Sequence, residues 1–221
     1  GRFSFSYYSK HILVGVSSVW GIQAMKDLTS SVYTFEKLIR GNYLYVDKTE
    51  YIWKLVRPAS GIYFMSRPRR FGKSLTVSTL KAVFQGKKEL FKGLAIHGKE
   101  YNWKEYPVIH LDMGNCDARN APALRKYLGG VLRKEVAVHG LPIEIDDDQL
   151  AISFALLITA LSKTAPVVIL VDEYDKPILN TIQSPEVHQV LEVLKGFYST
   201  IKTCADQERF VFVTGVSKFC H

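Results

Sequence analysis

Three short stretches carry residue types suited to phosphate chemistry. Gly72-Lys73-Ser74 combines a residue free to adopt positive φ, an ammonium and a hydroxyl. Where such a tripeptide opens a helix, the first N–H groups face an anion, the lysine reaches the outer phosphates and the hydroxyl holds Mg2+. The tripeptide alone is weak, since ordinary composition yields it in about one chain in ten of this length. Its context gives it weight: Gly61 to Ser66 reads as a short buried strand, and a helix runs from Gly72 to about Phe84 with Val77, Leu80 and Phe84 inward. The full loop pattern G-x-x-x-x-G-K-[ST] asks for glycine at position 67, where this chain has Arg67. Arginine restricts the backbone there and Pro68 lacks an N–H, so the loop wraps phosphates differently, with Arg67, Arg69 and Arg70 adding charge. The plainer alternative is that these arginines pair with surface carboxylates. The candidate phosphate-binding segment comprises Arg67, Pro68, Arg69, Arg70, Phe71, Gly72, Lys73, Ser74 and Leu75.

A second stretch, Val167-Val-Ile-Leu-Val171-Asp172-Glu173, is a continuous β-branched run ending in two acids. Such a run is a strand covered on both faces. In phosphate-loop ATPases the first acid orients the Mg2+ shell and the second polarises the attacking water, because phosphoryl transfer is mostly positioning and charge neutralisation. Asp172 takes the metal role with Ser74, and Glu173 the catalytic one beside Lys73. Strand-end acids also merely cap turns; the two stretches taken together favour function. Asp175 and Lys176 read as a local pair or as lining of the cleft. The third stretch, Phe210-Val-Phe-Val-Thr214-Gly215, is a strand ending in a hydroxyl that can touch the γ-phosphate or the lytic water. Alone it says little, since many strands end in threonine.

The elements that must position these groups alternate between strand and helix from Thr34 onward. Thr34 is placed to cap a short helix carrying Phe35, Leu38 and Ile39, followed by an extended Tyr43 to Val46. Asp47 and Glu50 have capping-box spacing before Tyr51 and Ile52, and Pro58 stops that helix. Pro107 to Met113 reads as a strand. Leu124, Tyr127, Leu128, Val131 and Leu132 give an amphipathic helix. Asp146 to Asp148 read as cap and dipole complement for an apolar helix over Leu150 to Leu161. Val187, Val190, Leu191, Leu194, Tyr198 and Ile201 mark the last helix. Strands separated by helices demand parallel pairing and right-handed crossovers. The expected organisation is an extension over 1–31 outside the core, a helix-strand-helix lead-in over 32–60 and a phosphate-loop core over 61–221.

The chain's 221 residues suffice for one large domain, and 47% hydrophobic with 23% charged residues is ordinary for a globular protein. Disordered and collagen-like classes are excluded. Cys116, Cys204 and Cys220 form no C-x-x-C pair, which favours a reducing compartment over a disulfide frame, and the six histidines show no metal-cage spacing. Net charge is +8, concentrated between Arg57 and Lys104, where eleven basic residues face only Glu89 and Glu100. That balance suits polyanionic partners, nucleotide phosphates or a nucleic-acid backbone; solvated helix faces are the alternative for Lys81, Lys87, Lys88, Lys92 and Lys99. No apolar run reaches the length of a membrane span, and the uncharged run after Lys10 only faintly imitates a secretory signal.

Phe64-Met-Ser-Arg-Pro-Arg-Arg-Phe-Gly-Lys-Ser74, Tyr45-Val-Asp-Lys-Thr49, Phe84-Gln-Gly-Lys-Lys-Glu-Leu-Phe91, Tyr106-Pro-Val-Ile-His-Leu-Asp112, Val168-Ile-Leu-Val-Asp-Glu-Tyr-Asp-Lys-Pro177 and Val213-Thr-Gly-Val-Ser-Lys-Phe219 resemble the bacterial AAA-ATPase-like family over about residues 32 to 221. The resemblance implies an α/β phosphate-loop NTPase of the AAA/ASCE type, a three-layer sandwich with a mainly parallel sheet. It implies ATP held through Gly72, Lys73 and Ser74, Mg2+ and water managed by Asp172 and Glu173, and Thr214 as a sensor. Arg67 matches the family's own loop spelling. Family members typically carry a PD-(D/E)xK nuclease-like domain after the ATPase, but no lysine here has an acid two places before it. The family's strand order 5-1-4-3-2 leads to the expectation of a core incomplete at its C-terminus. The phosphate-loop strand would then lie at an apolar, self-associating edge.

The leading functional expectation is a cytoplasmic ATP-binding, Mg2+-dependent domain that hydrolyses ATP and drives a partner module or acts on nucleic acid, with a homo-oligomer as candidate assembly. GTP is disfavoured by the lack of an N-K-x-D sequence. The competing readings are a nucleotide or nucleoside kinase and a non-enzymatic nucleic-acid-binding module using the basic 57–104 segment. Glu173 directly after Asp172 favours water over an acceptor hydroxyl. Arg119, Arg125, Arg133 and Arg209 offer no basis for choosing an arginine finger.

Overall fold

The computed structural model of the chain describes residues 26–29, 32, 34–68 and 71–216. The expected extension over 1–31 lies almost wholly outside them, as do Arg69 and Arg70. The elements run α1 (Phe35–Arg40), α2 (Thr49–Val56), β1 (Ile62–Ser66), α3 (Lys73–Phe84), β2 (Val108–Asp112), α4 (Ala121–Val138), α5 (Leu150–Ser162), β3 (Val167–Asp172), α6 (Lys176–Thr181), α7 (Val187–Thr203) and β4 (Glu208–Gly215). All three strand pairs are parallel, in the order β1-β4-β3-β2.

Every residue of β3 is buried, which its unbroken apolar run requires of a strand covered on both sides. The alternation of side chains divides the core in two. Val168 and Leu170 with Phe210 and Phe212 pack on α3, α1 and α2 through Val77, Leu80, Phe35 and Ile52. Val167, Ile169 and Val171 face α4, α5 and α7 through Leu124, Leu128, Phe154, Leu157 and Phe197. The result is the expected three-layer α/β sandwich, with β1 an outer strand among the described residues.

The two outer strands are treated differently. Along β2, α4 supplies polar partners to the strand's outward backbone: the Tyr127 hydroxyl donates to Asp112 O at 2.7 Å, and His139 Nε2 lies 3.2 Å from Val108 O. Burial pushes the Tyr127 hydroxyl up to about 12. On β1, Ile62 and Phe64 remain 66% and 42% exposed, beside exposed Phe71 and Val216.

Several local expectations differ from the structure. Thr34 is extended at the start of α1 but makes no side-chain cap, and the Phe35 N–H donates to Ser78 Oγ of α3 at 2.9 Å. Asp47 and Glu50 form no capping box. Asp47 Oδ1 accepts from the Thr49 N–H and hydroxyl, its Oδ2 accepts from Ala95 N–H, and Glu50 turns to Lys54. These bonds hold the Asp47 carboxyl below its usual range, against the opposing effect of its own desolvation. Tyr43 to Val46 joins no strand ladder, its Leu44 N–H donating to Asp27 O. The acidic trio does not cap α5 directly: Asp146 accepts from the Asp148 N–H, while Asp147 pairs with Arg133 at 2.8 Å.

Candidate functional site

The carboxyl tips of all four strands lie together, because parallel pairing aligns Ser66 with Gly215 and Asp112 with Asp172, and sets Val171 against Val213. The loop that leaves β1 and the acids that leave β3 therefore share one edge of the sheet, with β4 between them. That edge is where open α/β sheets bind ligands.

The loop reaches α3 through Gly72, whose φ of 73° and ψ of 19° lie in the left-handed region. Nothing approaches within 4 Å of where its Cβ would stand, so glycine is required by backbone conformation alone. Arg67 N–H donates to Gly215 O at 3.2 Å, tying the loop's start to β4. Lys73 is 4% exposed and its Nζ donates to Arg67 O and Pro68 O at 2.8 and 3.0 Å, so the ammonium is buried under the loop. Ser74, Arg67, Pro68, Phe71 and Gly72 are exposed, whereas Leu75 packs against the α3 side of the core.

At the β3 tip, Thr214 is fully buried. Its hydroxyl donates to Asp172 Oδ1 at 2.5 Å and accepts from the Glu173 N–H at 3.0 Å. Glu173 has a φ of 54°, a left-handed conformation that costs a non-glycine residue about 1 kcal/mol or more. The chain holds it there through four bonds to or around it: Glu173 N–H to Thr214 Oγ1, Tyr174 N–H to Thr214 O, Lys176 N–H to Glu173 O and Val216 N–H to Asp175 Oδ2. Gly215 makes room for this turn, since a Cβ there would fall 2.4 Å from the Tyr174 ring.

The structure places the candidate residues Lys73, Asp172, Glu173 and Thr214 on one edge. Thr214 differs in manner: its hydroxyl is engaged with Asp172 and Glu173. Asp175 is 1% exposed and anchors Val216 N–H, a role its neighbour Lys176 had obscured. Missed altogether were Asp112 and Gly114 at the β2 tip, which only strand register brings to Glu173. Among the arginines, Arg209 lies at the opposite, amino end of β4, 8% exposed, donating to Val56 O and lying over Phe84 and Tyr106. Arg119 and Arg133 pair with Asp117 and Asp147.

A parallel β1-β4-β3-β2 sheet with a glycine-lysine-serine turn after β1 and paired acids after β3 defines a phosphate-loop NTPase-like domain. The family described as "AAA-ATPase_like: Predicted AAA-ATPase" matches residues 30–221, and the chain belongs to that family. It is also similar to an "Uncharacterized protein in vnfD 5'region" of Azotobacter chroococcum mcd 1, at 35% identity over 197 residues. That match takes in 88% of the chain but 38% of the relative's length. The chain is accordingly an ATP-binding, ATPase-like domain. Among the described residues no helix is long and apolar enough to cross a membrane.

Proposed function

We propose that this domain is a Mg2+-dependent ATPase whose turnover drives a partner module. The donor set suits a magnesium-bound triphosphate: the free N–H groups opening α3, the Lys73 ammonium, the exposed Ser74 hydroxyl and the Asp172 carboxylate. Bound Mg2+ would supply charge neutralisation for the outer phosphates. With nucleotide bound, Lys73 would leave the Arg67 and Pro68 carbonyls for phosphate oxygens, Ser74 and Asp172 would hold the metal shell, and Glu173 would orient the water. Arg67, Pro68, Phe71 and Leu75 frame the loop, whose sequence carries two further cations, Arg69 and Arg70. The observation that carries the reading is the Thr214 hydroxyl, which locks Asp172 and Glu173 into one unit at the edge the loop shares.

Two further points support it. Part of the basic 57–104 charge has partners in the fold: Lys73 in the loop, Lys87 on Glu36 at 2.6 Å, and Arg57, Lys99 and Lys104, still exposed, over the Trp53 and Tyr106 rings. That disfavours a module devoted to nucleic acid, although nucleic acid remains a candidate target of the driven partner. Cys116 and Cys204 are buried free thiols, in keeping with a cytoplasmic setting. We assign the core to 61–221, with 32–60 as its lead-in, and the driven module to sequence outside the match, which spans 38% of the longer relative.

The test is nucleotide binding and phosphate release by wild type, Lys73→Ala and Glu173→Gln. Lys73→Ala should lose binding. Glu173→Gln should bind ATP and release no phosphate; retained turnover in Glu173→Gln, or transfer to a nucleoside without phosphate release, would overturn the ATPase reading.

A further inference from the structure

We infer that Gly114 is a positioning residue for Glu173, its missing side chain leaving the room in which the Glu173 carboxylate stands. The inference rests on the ATPase reading, in which that carboxylate orients the attacking water.

The tip of β2 is a fixed wall. Asp112 pairs in register with Asp172, and the chain then turns, with Met113 N–H donating to Asp172 O at 2.9 Å, Gly114 N–H to Asp112 Oδ1 at 2.9 Å and Cys116 N–H to Met113 O at 3.0 Å. Two side chains pin the turn from outside: the Tyr127 hydroxyl on Asp112 O from α4, and Asn180 Nδ2 on Cys116 O at 2.8 Å from α6. The turn is thus tied to β3, α4 and α6 at once. The Glu173 backbone is equally fixed, by Thr214 Oγ1 on its N–H and by Lys176 N–H on its carbonyl.

These two fixed backbones meet at the carboxylate. A Cβ at Gly114 would lie 3.1 Å from Asp112 Oδ1, 3.3 Å from Glu173 Oε2 and 3.6 Å from Glu173 Cδ. The described glycines at positive φ are Gly72, Gly86, Gly93 and Gly140, so Gly114 is not needed for its backbone conformation. It serves space. A methyl group there crowds Asp112 Oδ1 and the Glu173 carboxylate together, and the Glu173 carboxylate, at the end of a flexible side chain, gives by a few tenths of an ångström. Catalytic geometry is sensitive on that scale, since a displacement of about 1 Å costs on the order of 100-fold in rate.

The test uses the full chain with ATP and Mg2+, together with equilibrium binding of a fluorescent ATP analogue. Gly114→Ala should lower kcat roughly 5- to 20-fold while the analogue's Kd stays within about twofold and the melting temperature is unchanged. Gly114→Val should lower kcat further. In a Glu173→Asp background, whose carboxylate is one methylene shorter, Gly114→Ala should change the remaining turnover by less than about twofold. Unchanged kcat in Gly114→Ala, the same fold-loss in both backgrounds, or loss of binding and melting temperature along with kcat would each overturn the inference. If Glu173→Gln hydrolyses ATP normally, the role of Glu173 falls and this inference with it. If Glu173→Gln is inactive and Gly114→Ala keeps the wild-type kcat, the inference alone falls.

Discussion

The Thr214 hydroxyl sits 2.5 Å from Asp172 Oδ1, in the interior of the sheet's carboxyl edge and wholly out of water. Its lone pair is meanwhile taken by the Glu173 N–H. One hydroxyl therefore sets the orientation of the Asp172 carboxylate and the strained backbone of Glu173 together. Thr214→Val keeps the shape and leaves both partners unpaired, which should cost about 1–3 kcal/mol of stability and lower turnover more than nucleotide affinity. Thr214→Ser, which keeps the hydroxyl and loses a methyl, should recover most of the turnover. Urea denaturation and phosphate-release assays on the two variants check this.

Gly72 gives a prediction of the opposite kind, because its φ of 73° and its empty surroundings separate backbone strain from crowding. Gly72→Ala should destabilise by about 1–2 kcal/mol through the left-handed penalty alone and weaken ATP binding by disturbing the start of α3. Gly72→Asn, a residue more tolerant of that region, should lose less on both counts. Thermal melts with and without nucleotide distinguish the two.

These two sites also show what the residues themselves could disclose. β3 was legible because five consecutive apolar residues fit only a strand covered on both faces, and α3 because Val77, Leu80 and Phe84 keep helical spacing. Lys73 stood out from its place at the head of α3, and Asp172 and Glu173 from theirs at the end of β3. Caps were not legible where distant groups intervene: the Thr34 side chain makes no cap bond, and the first N–H of α1, that of Phe35, is met by Ser78, 43 residues away. Asp112 and Gly114 escaped for the same reason, since their meaning depends on register with β3 and no local pattern encodes it.

Glu208 makes stability depend on pH. It begins β4 at 9% exposure, its carboxylate oxygens lack a hydrogen-bond partner among the described residues, and burial, with Asp206 nearby, pushes its pKa up to about 7. A raised carboxyl pKa means stability is fullest below the unfolded value near 4.5 and is lost as pH rises through about 7. Glu208→Gln should therefore match wild type near pH 4 and exceed it by roughly 1–3 kcal/mol above pH 8. Chemical denaturation across that range tests the sign; a wild type that gains stability relative to Glu208→Gln with rising pH would refute it.

The exposed row on β1 predicts association. Ile62→Lys places a charge on an outer strand, a device that blocks edge pairing, and should lower the apparent mass in concentrated solution without altering nucleotide affinity. Phe64 is the poorer choice for this test because its ring packs edge-on against Tyr174. Multi-angle light scattering of wild type and Ile62→Lys at several concentrations provides the measurement.

The contrast between the two outer strands has a consequence for how this architecture is built upon. With Tyr127 and His139 occupying carbonyls along β2, that flank is the less open one, and among the described residues β1 is the more open edge for a further strand. A strand added there would lie alongside β1, which runs into the loop over the buried ammonium of Lys73. Recruitment and nucleotide chemistry would then share a boundary, and a guest strand would register the state of the loop through its nearest neighbour.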